Sequence, residues 1–245
     1  MSKEIVRPHV RTSIYWYIDA LVEYLESSAS PPRDMPIITF EMAEQDQPCI
    51  LYNTEQLTRV SELQRLLIRA KKPDVAAVWD YSKANIDILR KHGVTAEHYP
   101  VGISSLHRQR LQDFLKAPKE YDVGFSGSLS TRRKRILNGL TEKGLNVLYI
   151  NNKIGDQRDA ELAKCRVIIN IHYNIDYQVF ESVRCEQWLD VGVPVVSEKS
   201  LDDDPRAITV PYDELVTATL LATEKARNLV HVLHEGAEGL EHTHE

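Results

Sequence analysis

Short apolar runs alternate with longer amphipathic stretches along nearly the whole chain, and this alternation restricts the fold more than any single residue does. Met35–Phe40, Cys49–Tyr52, Val75–Trp79, Tyr121–Phe125, Asn146–Ile150, Val167–Ile171, Val193–Val196 and Ala207–Val210 read as strands. Between them, helices are expected over 11–28, 56–71, 83–92, 105–116, 131–143, 156–164 and 212–235, with one more ending at Gly192. Runs that are apolar on both faces suit strands covered on both sides, and parallel strands need a crossover between them. The expected class is therefore α/β with parallel sheets.

Punctuation divides the chain further. Lys71-Lys-Pro-Asp74 breaks one helix, Gly93 and Gly144 close two others, and Gly192 followed by Pro194 stops a fourth. Ser27–Arg33 reads as a loop, and Ala117-Pro118 as a linker between two α/β halves, 1–117 and 118–215. A C-terminal helix and tail, 216–245, follow, with the end expected to fray from Gly236. No repeat of fixed period and no low-complexity segment interrupts the pattern.

A length of 245 residues with 42% hydrophobic and 27% charged residues suits one large or two modest domains with a real core. The net charge of −6 argues against bulk attraction to nucleic acid or an anionic membrane. No apolar run reaches membrane-spanning length and no signal peptide is read at the start, so a cytoplasmic address is expected. Cys49, Cys165 and Cys185 lie far apart and read as reduced, buried thiols, not a disulfide framework or a zinc site. His242-Thr-His-Glu245 lacks a third ligand at a suitable spacing, and no metal is expected.

In open α/β sheets ligands bind at the carboxyl ends of strands, and the polar residues at those ends are the candidates. Ser126-Gly127-Ser128 forms a small turn between a strand and a helix, where backbone N–H groups can approach an anion. The helix then opens with Arg132-Arg-Lys-Arg135, four cations that oppose its dipole at about 0.3–1 kcal/mol each when exposed. A bound diphosphate would reverse that sign. Ile136, Leu137 and Leu140 mark the packed face, which puts Arg132 and Arg133 nearest the strand ends and sends Lys134 and Arg135 to water. The glycine spacing is not that of a dinucleotide fingerprint.

His172 and Tyr173 follow another strand, and His172 could bond a sugar hydroxyl or a phosphate, or move a proton. Glu181 and Arg184 stand one turn apart near a helix start and can reach one ligand. In that helix Phe180, Val183, Gln187 and Val191, with Trp188 beside them, are expected to form the apolar flank. Glu55 and Asp80 are carboxylates at strand ends of the first half that could serve as a base, although Asp80 or Ser82 equally suits a helix cap. Trp79, Tyr81 and Tyr52 could line a sugar-stacking surface, with core packing as the expected use.

Taken in order, three segments between Val75 and Val210 resemble the two-domain GT-B glycosyltransferases of the group-1, family-4-like branch, in their small microbial and viral form. They are Asp80-Tyr-Ser-Lys-Ala-Asn85 with Tyr99-Pro-Val-Gly-Ile103, Tyr121-Asp-Val-Gly-Phe-Ser-Gly-Ser-Leu129, and Val179-Phe-Glu-Ser-Val-Arg184 with Gly192-Val-Pro-Val-Val-Ser-Glu198. The resemblance implies two Rossmann-like domains facing a cleft, with a shortened N-terminal domain on the acceptor side. It also implies metal-independent transfer of a sugar from a UDP- or GDP-type nucleotide-sugar to a glycan, protein or small-molecule acceptor.

By position, Ser126, Gly127, Ser128, Arg132 and Arg133 would lie near the donor diphosphate. His172, Tyr173, Phe180, Glu181 and Arg184 would border the donor, and Glu186 would meet the ribose. Asp80, Glu55 and His172 are the catalytic candidates. Two departures stand out: Gln187 occupies the position of the family's second glutamate, and no glycine-rich loop follows the first strand. A nucleotide-sugar epimerase and a non-catalytic nucleotide-sugar or protein-binding domain are the alternatives.

Overall fold

A computed structural model describes residues 4–6, 15–28, 37–40 and 45–238. The start of the first expected helix (11–14), most of the Ser27–Arg33 loop, Met35 and the His242–Glu245 cluster lie outside the described residues.

The expected alternation becomes two five-stranded sheets, and among the described residues every strand pair is parallel. The first contains β1 (Glu4–Val6), β2 (Ile37–Thr39), β3 (Cys49–Asn53), β4 (Val75–Asp80) and β5 (Glu97–His98), in that spatial order. Its crossovers carry α1 (Tyr15–Ser28), α2 (Val60–Arg69) and α3 (Lys83–Lys91). β1 escapes a reading by periodicity because it is only three residues long and has no alternation to show.

After α4 (Ser105–Phe114) the second sheet runs β6 (Tyr121–Ser126), α5 (Thr131–Glu142), β7 (Val147–Ile150), α6 (Gly155–Leu162), β8 (Cys165–Asn170) and α7 (Ser182–Asp190). It finishes with β9 (Val195–Glu198), β10 (Ile208–Val210) and α8 (Leu215–Glu238). The spatial order is β10-β9-β8-β6-β7, so the chain leaves β6 to one side and returns on the other. The carboxyl ends of β6 and β8 therefore flank a topological switch point, where loops diverge and leave a crevice.

Both faces of this sheet are covered. Val123, Phe125, Val167, Ile169 and Ile171 pack with Ile136, Leu137 and Leu140 of α5 and Leu215 of α8. Cys165 and Ile168 pack on the other side with Leu162, Cys185 and Trp188, and Leu111 of α4 joins this second cluster.

The α7 flank differs from expectation. The helix begins at Ser182, and its buried residues are Cys185, Gln187, Trp188 and Leu189, while Val183 and Val191 are only partly covered. Phe180 is not on the helix, since it belongs to the loop that enters it. Gly192 ends α7 as expected, at φ +78°, with Val193 N–H donating to the Trp188 carbonyl at 2.9 Å in the six-to-one bond of a glycine cap.

Two seams join the halves. Val179, fully buried, sits in the first sheet's aromatic cluster with Tyr52, Trp79 and Tyr81, and its N–H donates to Gln56 Oε1 at 2.9 Å. Beside it, Thr58 donates to the Asp176 carbonyl, and Asp202 accepts from both Ser82 and the Phe180 N–H. On the other flank, Glu23 of α1 accepts from Ser104 and from Arg110 of α4, the helix whose Leu111 packs in the second sheet's core. Among the described residues no helix is long and apolar enough to cross a membrane.

Candidate functional site at the β6–β8 switch point

Two guanidinium groups hang over the turn that follows β6. Gly127 has φ +142°, and a Cβ built there would lie 3.3 Å from Arg184 Nη2 and 3.6 Å from Arg133 Nη1. Any side chain would thus meet both the backbone restriction and the arginines.

Arg133 is buried and stitches the two switch-point loops together. Its Nε donates to the Ile171 carbonyl (2.8 Å), Nη1 to the Ser128 carbonyl (2.9 Å) and Nη2 to Glu181 Oε1 (3.4 Å). Arg184 donates to Asn170 Oδ1 at the end of β8 (3.3 Å) and pairs with Glu181 Oε2 at 2.6 Å. Glu181 is the residue that precedes the first turn of α7, so its carboxylate lies at the positive end of the helix between two cations.

Arg132 forms a two-pronged ion pair with Glu198 at the end of β9 and stacks on the Tyr212 ring, 3.6 Å from its centroid. Glu198 also accepts from the His172 N–H at 3.1 Å, and His172 Nε2 lies 3.1 Å from Ser200 Oγ. Burial pushes the His172 imidazole below its usual pKa, with Glu198 and Glu181 opposing the shift. Burial thus favours the neutral ring, which has one N–H to donate and one bare nitrogen to accept.

Glu198 is not among the candidates read from the sequence. The rule that singled out Ser126 at a strand's carboxyl end applies equally to Glu198, and that signal was sufficient. Lys134 and Arg135 are exposed, as expected from the packed face of α5.

The turn at 126–128, Arg132, Arg133, His172, Tyr173, Glu181 and Arg184 thus share one edge of the second sheet. Three guanidinium groups and two carboxylates meet there, and Ser130 caps α5 by accepting from the Arg133 N–H at 3.2 Å. The three cations outnumber the two carboxylates and stand beside the start of α5, so the crevice carries net positive charge with Glu181 and Glu198 as internal counter-ions.

Other candidates lie elsewhere. Glu186 follows Arg184 by two residues, about 200° around the helix. It pairs with Arg206 at 2.6 Å and lines a separate groove of about 840 Å³ between α3 and the 201–206 loop. Phe180, almost fully buried, borders that groove as well. This groove therefore lies beside the arginine cluster, not over it.

Gln187 points away too. Its Nε2 donates to Asp159 Oδ1 (3.1 Å) and its Oε1 accepts from His107 Nε2 (3.0 Å), so it serves as a buried link between α4, α6 and α7.

In the first half, Asp80 is completely buried. It accepts from Asn53 Nδ2 (2.7 Å), the Ser82 N–H (2.8 Å) and Asn85 Nδ2 (3.1 Å), and burial nevertheless raises its pKa to about 7. This is the environment of a carboxylate that ties β3, β4 and α3 together, and no surface of it faces a ligand. Ser82 is the residue that caps α3.

Glu55 keeps partial exposure at the edge of the cleft and pairs with Arg59 at 3.2 Å. Its carboxyl is raised by burial and by Glu62, with Glu181 of the other half adding to the effect. Trp79, Tyr81 and Tyr52 are in the core as expected. The three cysteines are buried, and burial pushes the Cys165 thiol up to about 12.

No protein-family model matches the chain. It is similar to several proteins of Acanthamoeba polyphaga mimivirus that carry the description uncharacterized protein. It is 37% identical to L138 over 186 residues, which cover 71% of this chain and 20% of that protein. It is 35% identical to L140 over 192 residues, 75% of this chain and 62% of that one. L137 matches at 35% over 182 residues, 71% of this chain and 24% of that one. The chain thus spans between about a fifth and three fifths of the length of these relatives. Among solved structures, sucrose-phosphate synthase from Thermosynechococcus elongatus is similar at 11% identity, covering 97% of this chain and 73% of that one, with a TM-score of 0.46.

Proposed function

We propose that the chain is a glycosyltransferase module that takes a nucleotide-sugar as donor, with the donor diphosphate seated at the β6–β8 switch point. The observation that carries this reading is the convergence of Arg133 and Arg184 over the Gly127 turn. A diphosphate entering there replaces Glu181 as the partner of both guanidinium groups and receives the amide dipoles of the turn and of α5.

Sugar transfer builds negative charge on the departing diphosphate, and fixed cations in a partly desolvated crevice stabilise that charge without reorganising. Once displaced, the Glu181 carboxylate is free to accept from a sugar hydroxyl. The neutral His172, backed by Glu198 and Ser200, offers one more hydrogen bond beside it. On the other wall Glu55 is the acidic group open to the cleft, and its raised pKa suits proton uptake from an acceptor hydroxyl.

The test is Arg184→Ala. Removing one member of a charge-assisted pair costs about 2–5 kcal/mol, roughly thirtyfold or more in affinity. UDP or GDP binding by calorimetry should weaken accordingly, and slow hydrolysis of the matching nucleotide-sugar should disappear while the melting temperature stays near that of the parent. A variant that binds the diphosphate as tightly as the parent would overturn the reading.

One observation favours a second reading, a non-catalytic nucleotide-sugar-binding domain: each of the three arginines already holds a carboxylate of the chain itself. Binding without hydrolysis or transfer across a donor panel is its signature.

A further inference from the structure

Between the anion site and the first half of the molecule, the β8–α7 loop presents two tyrosines whose arrangement the diphosphate reading leaves unused. Tyr173 is 36% exposed, and its ring centroid lies 5.4 Å from the Arg133 guanidinium carbon. Arg133 is only 3% exposed. A buried cation thus backs the ring, and part of Tyr173 stays open to solvent.

Tyr177 stands 5.7 Å away, centroid to centroid, with its plane tilted by 58°. Arg59, on the residue preceding α2 in the first half, lies over the Tyr177 ring at 4.7 Å. Two rings at that angle make a corner, not a stack, and each is backed by a cation from a different half. The loop is fixed in place by the Thr58 hydroxyl, which donates to the Asp176 carbonyl at 2.6 Å.

We infer that this corner is the subsite for the sugar ring of the donor, with the ring's C–H face resting on Tyr173 and Tyr177. Resting on the diphosphate reading, it specifies where the transferred group sits. Three features favour a pyranose over a nucleobase here. The corner leads from the anion site toward the opposite half, where a transferable group must be presented. Two tilted rings match the puckered edge and face of a sugar better than a flat base, which needs parallel surfaces. Finally, the Glu55–Arg59 pair stands at the rim next to Tyr177, placing an acceptor and several donors where sugar hydroxyls would emerge.

The bland account of the same contacts is that the two cation–aromatic pairs only fasten the loop. The two accounts differ in one measurable quantity, the increment in affinity that a sugar adds to a nucleoside diphosphate. The experiment compares calorimetric binding of UDP and GDP with that of UDP-glucose, UDP-N-acetylglucosamine and GDP-mannose, for the parent chain, Tyr177→Ala and Tyr177→Phe.

With the subsite in place, at least one nucleotide-sugar binds more tightly than its diphosphate by about three- to tenfold, the worth of one aromatic contact. Tyr177→Ala erases that increment and leaves diphosphate affinity unchanged, which also certifies the fold, and Tyr177→Phe retains it. If diphosphates bind but the sugar increment is the same in Tyr177→Ala, the subsite falls and the diphosphate reading stands. If no diphosphate binds the parent chain, both fall together.

Discussion

Gln187→Glu is a conservative change in shape, and the structure makes it a costly one. Gln187 is 4% exposed and has a separate task for each end of its amide. Arg110 Nη2 lies 2.9 Å from His107 Nδ1, and a guanidinium can only donate, so the His107 proton is on Nε2 and is donated to Gln187 Oε1. The amide nitrogen donates to Asp159 Oδ1 at 3.1 Å. A glutamate preserves the first bond and turns the second into two carboxylate oxygens at the same spacing.

At an effective dielectric constant near 20, that contact is worth roughly 5 kcal/mol of repulsion. The protein avoids the full cost by keeping the new carboxyl protonated, which restores the donor to Asp159. From a reference value of about 4.3 to pH 7, the proton costs about 3.7 kcal/mol at 1.36 kcal/mol per unit. Arg158, paired with Asp159 at 2.7 Å, softens the repulsion, so a loss of about 3 kcal/mol at pH 7 is expected.

The sign with pH follows from linkage. The folded-state pKa of the new carboxyl is raised, so stability relative to the parent is retained below about pH 4.3 and lost as pH rises toward the folded value. Urea unfolding of both proteins at pH 7 and pH 5 is the assay, and the deficit should shrink to about 1 kcal/mol at pH 5. A deficit under about 1 kcal/mol at pH 7, or one that does not change between the two pH values, would refute the assigned network.

Glu181→Gln removes the internal counter-ion shared by Arg133 and Arg184, and inorganic pyrophosphate or UDP should bind about tenfold more tightly in calorimetry at low salt. Unchanged or weaker binding would mean that the carboxylate does not compete for the arginines. Asp80→Asn tests the buried carboxyl raised to about 7. In the parent, stability from this group falls as pH rises from about 4 to about 7, by up to about 4 kcal/mol, because the unfolded chain gives up the proton first. Placing an amide against Asn53 Nδ2 costs the variant a constant amount, so its stability relative to the parent should rise between pH 4.5 and pH 7 in urea unfolding. Parallel curves would exclude the shift.

How much of this was legible in the sequence depends on how local the cause is. The sheets, the Gly192 stop and the packed face of α5 follow from periodicity and turn chemistry, which act over a few residues. The strand-end rule picked out the Gly127 turn and the arginines after it, and helical spacing picked out Glu181 and Arg184, without any knowledge of distances. What failed was whatever depends on a distant partner. Gln187 and Val183 have the right spacing for an apolar flank, yet Gln187 is buried because His107 and Asp159 satisfy it, and Val183 is left half-covered while Cys185 and Trp188 face the sheet. Asp80 looked like a reachable base because Asn53 lies 27 residues away in the chain and its bond to the carboxylate cannot be read from local pattern. Glu186 matched a family position in register but not in direction, since two steps along a helix reverse the face.

The anchoring of the β8–α7 loop ties the chemistry of the crevice to the placement of the two halves. Val179 is buried in the first sheet's core and hydrogen-bonded to Gln56, while Glu181, two residues on, pairs with Arg133 and Arg184 of the second half. A peptide segment of two residues spans only about 7 Å when extended, so it cannot absorb a large displacement between its ends. Separating the sheets at this seam must either withdraw Val179 from its cluster, at about 1.5–3 kcal/mol for the side chain, or pull Glu181 away from the arginines. The second course exposes the guanidinium groups to an incoming anion at the moment the cleft is widest. An anion bound to both arginines releases Glu181 in turn, which removes one of the contacts holding the seam closed. On the diphosphate reading, ligand charge and cleft opening would be linked through this one short segment, in proportion to how unequally the open and closed arrangements bind the anion.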